Sequence, residues 1–187
     1  HFIFLNNKAS IMFSWLDSYS FPDGSWALFN DSALGMSAGT LELKKCIKLL
    51  KINSKLTELN ESGFRKLKYI DFELIIKTGE IQPKHQPGHS HSDILSYCLW
   101  HKGKQVIVDP GISTYEIGDV RLFERSSINH NTISINSFNQ SDMWSSFRVG
   151  KRAKSNILQH NDKIIKSSVT NFYHNSNYTH TRTIKII

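Results

Sequence analysis

The spacing of apolar residues changes once along this chain, and no other feature constrains the fold as strongly. From Lys8 to Tyr19 apolar residues recur every three or four positions, and a second run of this kind extends from Thr40 to Leu50. This period is typical of one face of a helix. After Gly63 apolar and charged residues alternate from Ile70 to Lys77, which indicates a half-buried strand. The sequence therefore predicts helices first and β structure afterwards.

Turn signals divide the rest of the chain into short segments rich in Val, Ile, Thr, Ser and Tyr. They are Lys102-Gly103, Asp109-Pro110-Gly111, Asn136-Ser137 and Asn161-Asp162. Such spacing favours an antiparallel sandwich. We therefore predict a mainly β fold, with a helical segment at residues 1–59 and an antiparallel β-sandwich domain at residues 60–187. Because the chain opens on His1 and ends within an apolar run, we expect a piece of a longer protein whose sandwich is incomplete at the C-terminus.

The charge of the chain suits a polyanionic partner. Lysine and arginine total 23 against 16 aspartate and glutamate residues, a formal net charge of +7. The basic residues are scattered, so no stripe of the kind that follows a phosphate backbone is evident. No apolar run approaches the roughly 20 residues of a membrane helix. The charge alone leaves nucleic acid and an acidic polysaccharide open as partners, and we predict no membrane segment in this chain.

Two histidines and an aspartate are spaced to act together. His89, His91 and Asp93 stand two positions apart, so in a strand all three side chains would project from one face. Leaving such groups crowded and unpaired is costly, whereas a divalent cation or a substrate would give their nitrogen and oxygen atoms partners. A purely structural cluster is the alternative reading. The apolar run Ile94–Trp100 follows directly and predicts a buried strand.

Asp109 and His130 are two further candidates, each weak on its own. Asp109 begins an ordinary Asp-Pro-Gly turn, but a hairpin at Lys102-Gly103 would bring it close to the end of the chain segment that holds His91. His130 lies on the polar face of a predicted strand. Its neighbours Arg125 and Asn131 favour a binding surface there.

Taken together and in this order, three motifs resemble the heparinase II/III family of polysaccharide lyases. The motifs are Pro87–Ser96, Val108–Gly111 and Arg125–Thr132, with weaker matches at Phe21-Pro22-Asp23-Gly24, Asn30-Asp31-Ser32 and Asn139–Val149. The resemblance implies an α/α toroid followed by an antiparallel β-sandwich, with an acidic polysaccharide in the cleft between them. It therefore predicts an acidic polysaccharide as partner and no nucleic acid. It also implies that the helical segment is the last part of the toroid and that the family's catalytic tyrosine lies outside this chain.

The resemblance further implies roles for individual residues. His89 matches the catalytic histidine of the family, and His91, Asp109 and His130 match its metal ligands, with zinc as the metal. Two imidazoles and one carboxylate also suit zinc on general grounds. Such a metal would order the segments beneath His89 rather than activate water. For binding the acidic substrate we select Arg125, Asn131 and Arg148, which lie in or near the motifs.

The function implied is cleavage of a uronic-acid-containing polysaccharide by β-elimination, either a heparin- or heparan-like chain or a bacterial surface polysaccharide. The corresponding location is the bacterial periplasm or cell surface. Two alternatives remain open from the residues alone. One is a carbohydrate-binding, metal-stabilised β-sandwich module without catalysis. The other is a metal-dependent hydrolase in which His89, His91 and Asp109 present a water molecule to the substrate.

Overall fold

Two helices open the chain where the apolar period predicted them. The structure is a computed structural model that describes residues 1–173 and 176–187. Helix α1 is Phe2–Tyr19 and helix α2 is Thr40–Leu49. A short third helix, α3, spans Asp119–Glu124. In the described part of the chain no helix combines the length and apolarity needed to cross a bilayer.

Antiparallel strands form the rest of the fold, which confirms the predicted mainly β class. The first sheet has the order β1-β2-β3-β4, with β1 at Phe64–Tyr69, β2 at Phe72–Lys77, β3 at Tyr97–His101 and β4 at Lys104–Ile107. A hairpin follows, with β5 at Met143–Trp144 and β6 at Arg148–Val149. The second sheet has the order β7-β8-β9, with β7 at Lys154–Asn161, β8 at Ile164–Tyr173 and β9 at Ser176–Lys185.

The predicted strand around Ile70 is in fact a hairpin. β1 and β2 pair with Tyr69 opposite Phe72, which leaves Ile70 and Asp71 as the turn. Ile70 has φ of 50° and is 82% exposed. Its apolar side chain happens to continue the alternation of β2, so the sequence period alone could not locate the turn.

The two sheets pack face to face, and β2 is buried on both sides. Leu74 and Ile76 face a core that includes Ile165 and Val169 of β8. Ile75, which points the other way, is fully buried against the helical segment. Burying one such side chain contributes about 1.5–3 kcal/mol. The first sheet is therefore the middle layer between the helical segment and the second sheet.

The helical segment shares a hydrophobic core with this middle sheet. Tyr19, Phe21 and Phe29 pack with Ile75 and Cys98 of the sheet. This shared core contains residues from both sides of residue 59. The domain boundary at residue 59 stays a prediction.

The segments that carry the motifs are loops rather than strands. The predicted strands at His89–Asp93 and at His130–Ser134 are wrong: short 3-10 turns at Pro87–His89 and Ser127–Asn129 lead into irregular backbone, and β3 begins only at Tyr97. Serine side chains there bond backbone groups, as when Ser127 Oγ donates to the Ser92 carbonyl at 2.6 Å. Such bonds compete with strand ladders.

Candidate functional site

Asp31, in the loop between α1 and α2, is the point where the motifs meet. His89 Nδ1 lies 2.7 Å from its Oδ2, and His91 Nε2 lies 2.8 Å from its Oδ1. Arg121 of α3 approaches from another side: its Nη2 donates to Oδ2 at 2.6 Å, and its Nη1 lies 2.6 Å from Oδ1. The Asp31 side chain is only 3% exposed. Three cationic or polar groups thus converge on one buried carboxylate.

The Asp31 carboxylate is held in its ionised form. Burial alone would raise its pKa, but the hydrogen bonds from His91, Arg121 and His89 outweigh burial and lower its pKa to about 2. Asp31 therefore carries a negative charge throughout the neutral range. Sequence reasoning missed both Asp31 and Arg121. The only signal was the weak family match at Asn30-Asp31-Ser32, because the carboxylate is 58 residues from His89.

His89 faces outward from this anchor into a cavity of about 590 Å³. Its side chain is 62% exposed. The ring of Tyr115 stands edge-on to it at a centroid distance of 6.0 Å. The lining includes the basic side chains His85, Arg148 and Arg152, and none of its described lining residues is acidic. The candidate catalytic histidine is therefore rigidly held on one side and open to an anionic ligand on the other.

Behind His89 lies a buried cluster of two histidines and two aspartates. The rings of His91 and His130 are 5.2 Å apart at their centroids. The predicted hairpin of β3 and β4 is present. Asp109 follows it, and its Oδ2 lies 2.9 Å from His130 Nδ1. One ligand atom from each of Asp93, Asp109 and His130 falls within 4.8 Å of the others. Asp93, to which the sequence assigned no metal role, belongs to this compact group together with two of the three predicted ligands.

Three buried atoms in the cluster have no hydrogen-bond partner among the described residues. They are His91 Nδ1, Asp93 Oδ2 and His130 Nε2. Unpaired buried polar atoms of this kind cost about 1–3 kcal/mol each. A divalent cation would satisfy a nitrogen lone pair and a carboxylate oxygen together, so the residues present fit a metal site. His91, the third predicted ligand, lies outside this compact group, but its ring is next to that of His130 and its Nδ1 has no partner among the described residues.

The charges around the cluster shift its titrating groups in opposite directions. Burial lowers the pKa of His91 and outweighs its hydrogen bond with Asp31. Burial also acts to lower the pKa of His130, but the hydrogen bond with Asp109 and the charge of Asp93 outweigh burial and raise this pKa above its ordinary value. Asp93 itself contacts the Lys77 ammonium, which together with the histidines lowers its pKa against the effect of burial. His91 is thus a neutral imidazole, the form that binds metals.

The three residues selected for substrate binding lie in different surroundings. Arg125 is fully buried and donates to backbone carbonyls, at 3.0 Å to Ser90 and 2.9 Å to Ser146. Asn131 is half-buried and donates to the carbonyls of Tyr97 and Val108. Both side chains therefore hold loops together. Their sequence positions gave no measure of burial.

Arg148 is the exposed member of the set. Its guanidinium lies over the Trp144 ring at 6.0 Å and lines the cavity beside His89. Of the three selected residues, Arg148 is the one placed to reach a ligand in that cavity.

Known proteins share both the sequence pattern and the fold. The family model described as Heparinase II/III-like, C-terminal, matches residues 51–186. A heparan sulfate lyase HepC mutant from Pedobacter heparinus is similar at 18% identity and a TM-score of 0.59, over 89% of this chain and 28% of that one. The heparinase III BT4657 gene product is similar at 21% identity and a TM-score of 0.62, over 94% and 29% of the two chains.

These likenesses concern the fold, and they cover less than a third of either solved structure. A search of the curated proteins gives no significant match. The structural match nevertheless spans the helical segment as well as the sandwich, since it includes about nine-tenths of this chain.

Proposed function

Since the chain belongs to the heparinase II/III-like family, we propose that it forms part of a polysaccharide lyase that cleaves uronic-acid-containing chains by β-elimination. The observation that carries the proposal is His89, which is anchored at Nδ1 by a buried carboxylate and is open to a basic cavity through the rest of its ring. An imidazole held in this way is suited to accept a proton from a bound sugar.

The reaction needs a base, a means of stabilising negative charge, and an acid. His89 Nε2 takes the proton from C5 of the uronate, and the C5–H electrons form the C4=C5 double bond. The C4–O bond breaks, and the leaving oxygen receives a proton from the acid. The uronate carboxylate gains negative charge as the proton leaves, so nearby cations stabilise the transition state. The acid belongs to the part of the protein that the family resemblance places outside this chain.

The cavity beside His89 supports an acidic polysaccharide as the substrate. Arg148 and Arg152 bring two guanidinium groups to a lining that has no acidic side chain among the described residues. Guanidinium groups bind carboxylate and sulfate in a two-pronged geometry. Heparin- or heparan-like chains and bacterial surface polysaccharides both carry such anions. A bacterial periplasm or cell surface, where these polymers occur, is the corresponding proposed location.

We propose zinc as the metal of the buried cluster, with His91, Asp109 and His130 as ligands and Asp93 beside them. The orphaned nitrogens of the two histidines support this assignment. A zinc ion bound there would supply folding energy by fixing three loops relative to one another. His91 would thereby be held two residues from His89, so the metal would act on the base through the backbone.

A binding module without catalysis is the second candidate function, and one observation favours it. The cavity beside His89 is lined by Arg148 and Arg152 and by no acidic side chain among the described residues. A sandwich that only holds an acidic glycan would still need the basic cavity, but it would not need the anchored orientation of His89.

Turnover by the whole protein that carries this chain distinguishes the two functions. Uronate polysaccharides are incubated with the protein, and the ultraviolet absorbance of the unsaturated product is followed. We expect product from the wild type and a loss of roughly 100-fold or more in rate for His89→Ala. His101→Ala, a histidine at the end of β3, is the matched control and keeps the rate. Glycan binding with no new absorbance from any acidic polysaccharide would support the module instead.

The metal assignment has its own measurement. Elemental analysis of protein purified without a histidine tag is expected to give one zinc per chain, and His130→Ala is expected to lose it. Preparations without a stoichiometric transition metal would contradict the zinc site and leave the lyase proposal to be judged by turnover.

A further inference from the structure

The Asp31 carboxylate contacts both functional histidines through different oxygens. Its Oδ2 faces His89 Nδ1 and its Oδ1 faces His91 Nε2. A backbone hydrogen bond also joins Asp31 to His89, since the Asp31 amide donates to the His89 carbonyl at 3.2 Å. Arg121 lies 2.6 Å from each oxygen and balances the charge. Asp31 is thus fixed from four directions and has little freedom to turn.

This arrangement determines which ring nitrogen of each histidine carries the proton. An ionised carboxylate can only accept hydrogen bonds, so each nitrogen that faces it must be a donor. In a neutral ring, His89 therefore has its proton on Nδ1 and a lone pair on Nε2. His91 has its proton on Nε2 and a lone pair on Nδ1, which is the atom left without a partner in the buried cluster.

We propose that Asp31 is the positioning residue of this site. It holds His89 in the tautomer that accepts a proton at Nε2, and it holds His91 in the tautomer that binds a metal ion at Nδ1. A carboxylate behind a metal-binding histidine commonly fixes its orientation and raises its basicity. Here one carboxylate serves a ligand and a base together. The His89 half rests on the proposed lyase function, whereas the His91 half rests on the cluster geometry alone.

A carboxamide cannot replace this carboxylate. Asparagine at position 31 would present one acceptor oxygen and one NH₂ donor, so only one histidine could keep its hydrogen bond and the other would face a donor. Glutamate keeps two acceptors and the charge on a longer side chain. Asp31→Asn thus tests the loss of one acceptor and of the charge, and Asp31→Glu tests the change in side-chain length.

The direct test is the tautomeric state of the histidines in the 187-residue chain, read from long-range ¹H–¹⁵N correlation spectra. The His89 signals are assigned by comparison with His89→Gln. We expect His89 in the wild type as the Nδ1–H tautomer and His91 as the Nε2–H tautomer. Wild-type spectra that show His89 protonated at Nε2 alone would overturn the proposal without any variant of Asp31.

Variants then test the consequence for metal binding. Titration with zinc alone, in competition with a chromophoric chelator, is expected to show a loss of about 10- to 100-fold in affinity for Asp31→Asn. Asp31→Glu is expected to recover much of this loss. Asp23→Asn is the matched control, because that carboxylate bonds Ser25 near the surface, and its zinc affinity is expected to equal that of the wild type. An unchanged zinc affinity and His89 tautomer in folded Asp31→Asn would refute the role.

The same variants distinguish this inference from the proposed function. In the whole protein, Asp31→Asn is expected to lower kcat by roughly 100-fold with little change in KM. His89 would no longer be held with its proton on Nδ1, whereas the substrate cavity would be intact. A loss confined to KM would contradict the positioning role. If the whole protein cleaves no polysaccharide, the lyase proposal fails, whereas the tautomer and zinc results still decide the role of Asp31.

Discussion

Arg125 offers the sharpest contrast between a loop-holding residue and a substrate-binding one. It is fully buried, and its guanidinium bonds the carbonyls of Ser90 and Ser146, which belong to two different loops. Burial and the neighbouring Arg121 charge lower its pKa to about 10, so it remains a cation at neutral pH. Arg125→Met keeps an unbranched apolar side chain and removes every donor. The two loops would then lose the group that ties them.

The expected cost follows from the carbonyls that would be left behind. Each buried acceptor that loses its partner costs about 1–3 kcal/mol. Two such carbonyls give a loss of about 2–6 kcal/mol, which is reduced because the buried guanidinium itself was costly to desolvate. We therefore expect the free energy of unfolding to fall by about 3 kcal/mol. For a chain of this size this corresponds to a decrease in Tm of roughly 6–12 °C.

Denaturant unfolding of the 187-residue chain measures this change, with Arg148→Ala as the control. Arg148 is exposed and has only a distant contact with the Trp144 ring, so its removal is expected to cost less than about 1 kcal/mol. In the whole protein Arg148→Ala is expected to raise KM for the acidic substrate. An Arg125→Met variant of wild-type stability that binds substrate weakly would refute the structural role and restore Arg125 as a ligand of the glycan.

Two further predictions concern the loops around Asp31. The pKa of Asp31 is lowered from 3.8 to about 2, so the ionised carboxylate contributes about 2 kcal/mol of stability above roughly pH 4, and this contribution is lost as the pH falls towards 2. The difference in unfolding free energy between the wild type and Asp31→Asn is expected to shrink over that pH range. A difference that stays constant would contradict the prediction. Gly111 has φ of 64°, and an added Cβ would lie 2.1 Å from the Ser32 carbonyl oxygen, so Gly111→Ala is expected to lower Tm. Gly118→Ala, where no atom lies within 4 Å, is expected to leave Tm unchanged, and equal Tm values for the two variants would contradict this reading of the loop.

Local sequence patterns predicted the elements of the fold but not their boundaries. The three-to-four spacing gave α1 and α2, and Lys102-Gly103 gave the hairpin that carries Asp109 to His130. The same patterns failed at Ile70, where a turn residue continues the period of a strand. They failed again around His89, where a 3-10 turn and irregular backbone replace the expected strand and the side chains of His89 and His91 bond the Asp31 carboxylate.

The candidate site was only partly accessible from sequence, for a different reason. His89, Asp109 and His130 stand within motifs whose order along the chain resembles a family, so their selection needed no three-dimensional information. Asp31 acts from a distant loop, and nothing in its neighbours marks it as the acceptor for two histidines. The buried state of Arg125 also depends on loops from other parts of the chain.

We propose that the protein cleaves its polysaccharide by elimination, with His89 as the base. The most direct measurement is cleavage of an acidic polysaccharide by the whole protein in water labelled with heavy oxygen, followed by mass spectrometry of the products. Elimination adds no water, so the expected products carry a C4=C5 double bond and no heavy oxygen from the cleavage step, when they are measured before the new reducing end exchanges its oxygen with water. Saturated products that have incorporated the label would show hydrolysis and would contradict elimination by His89.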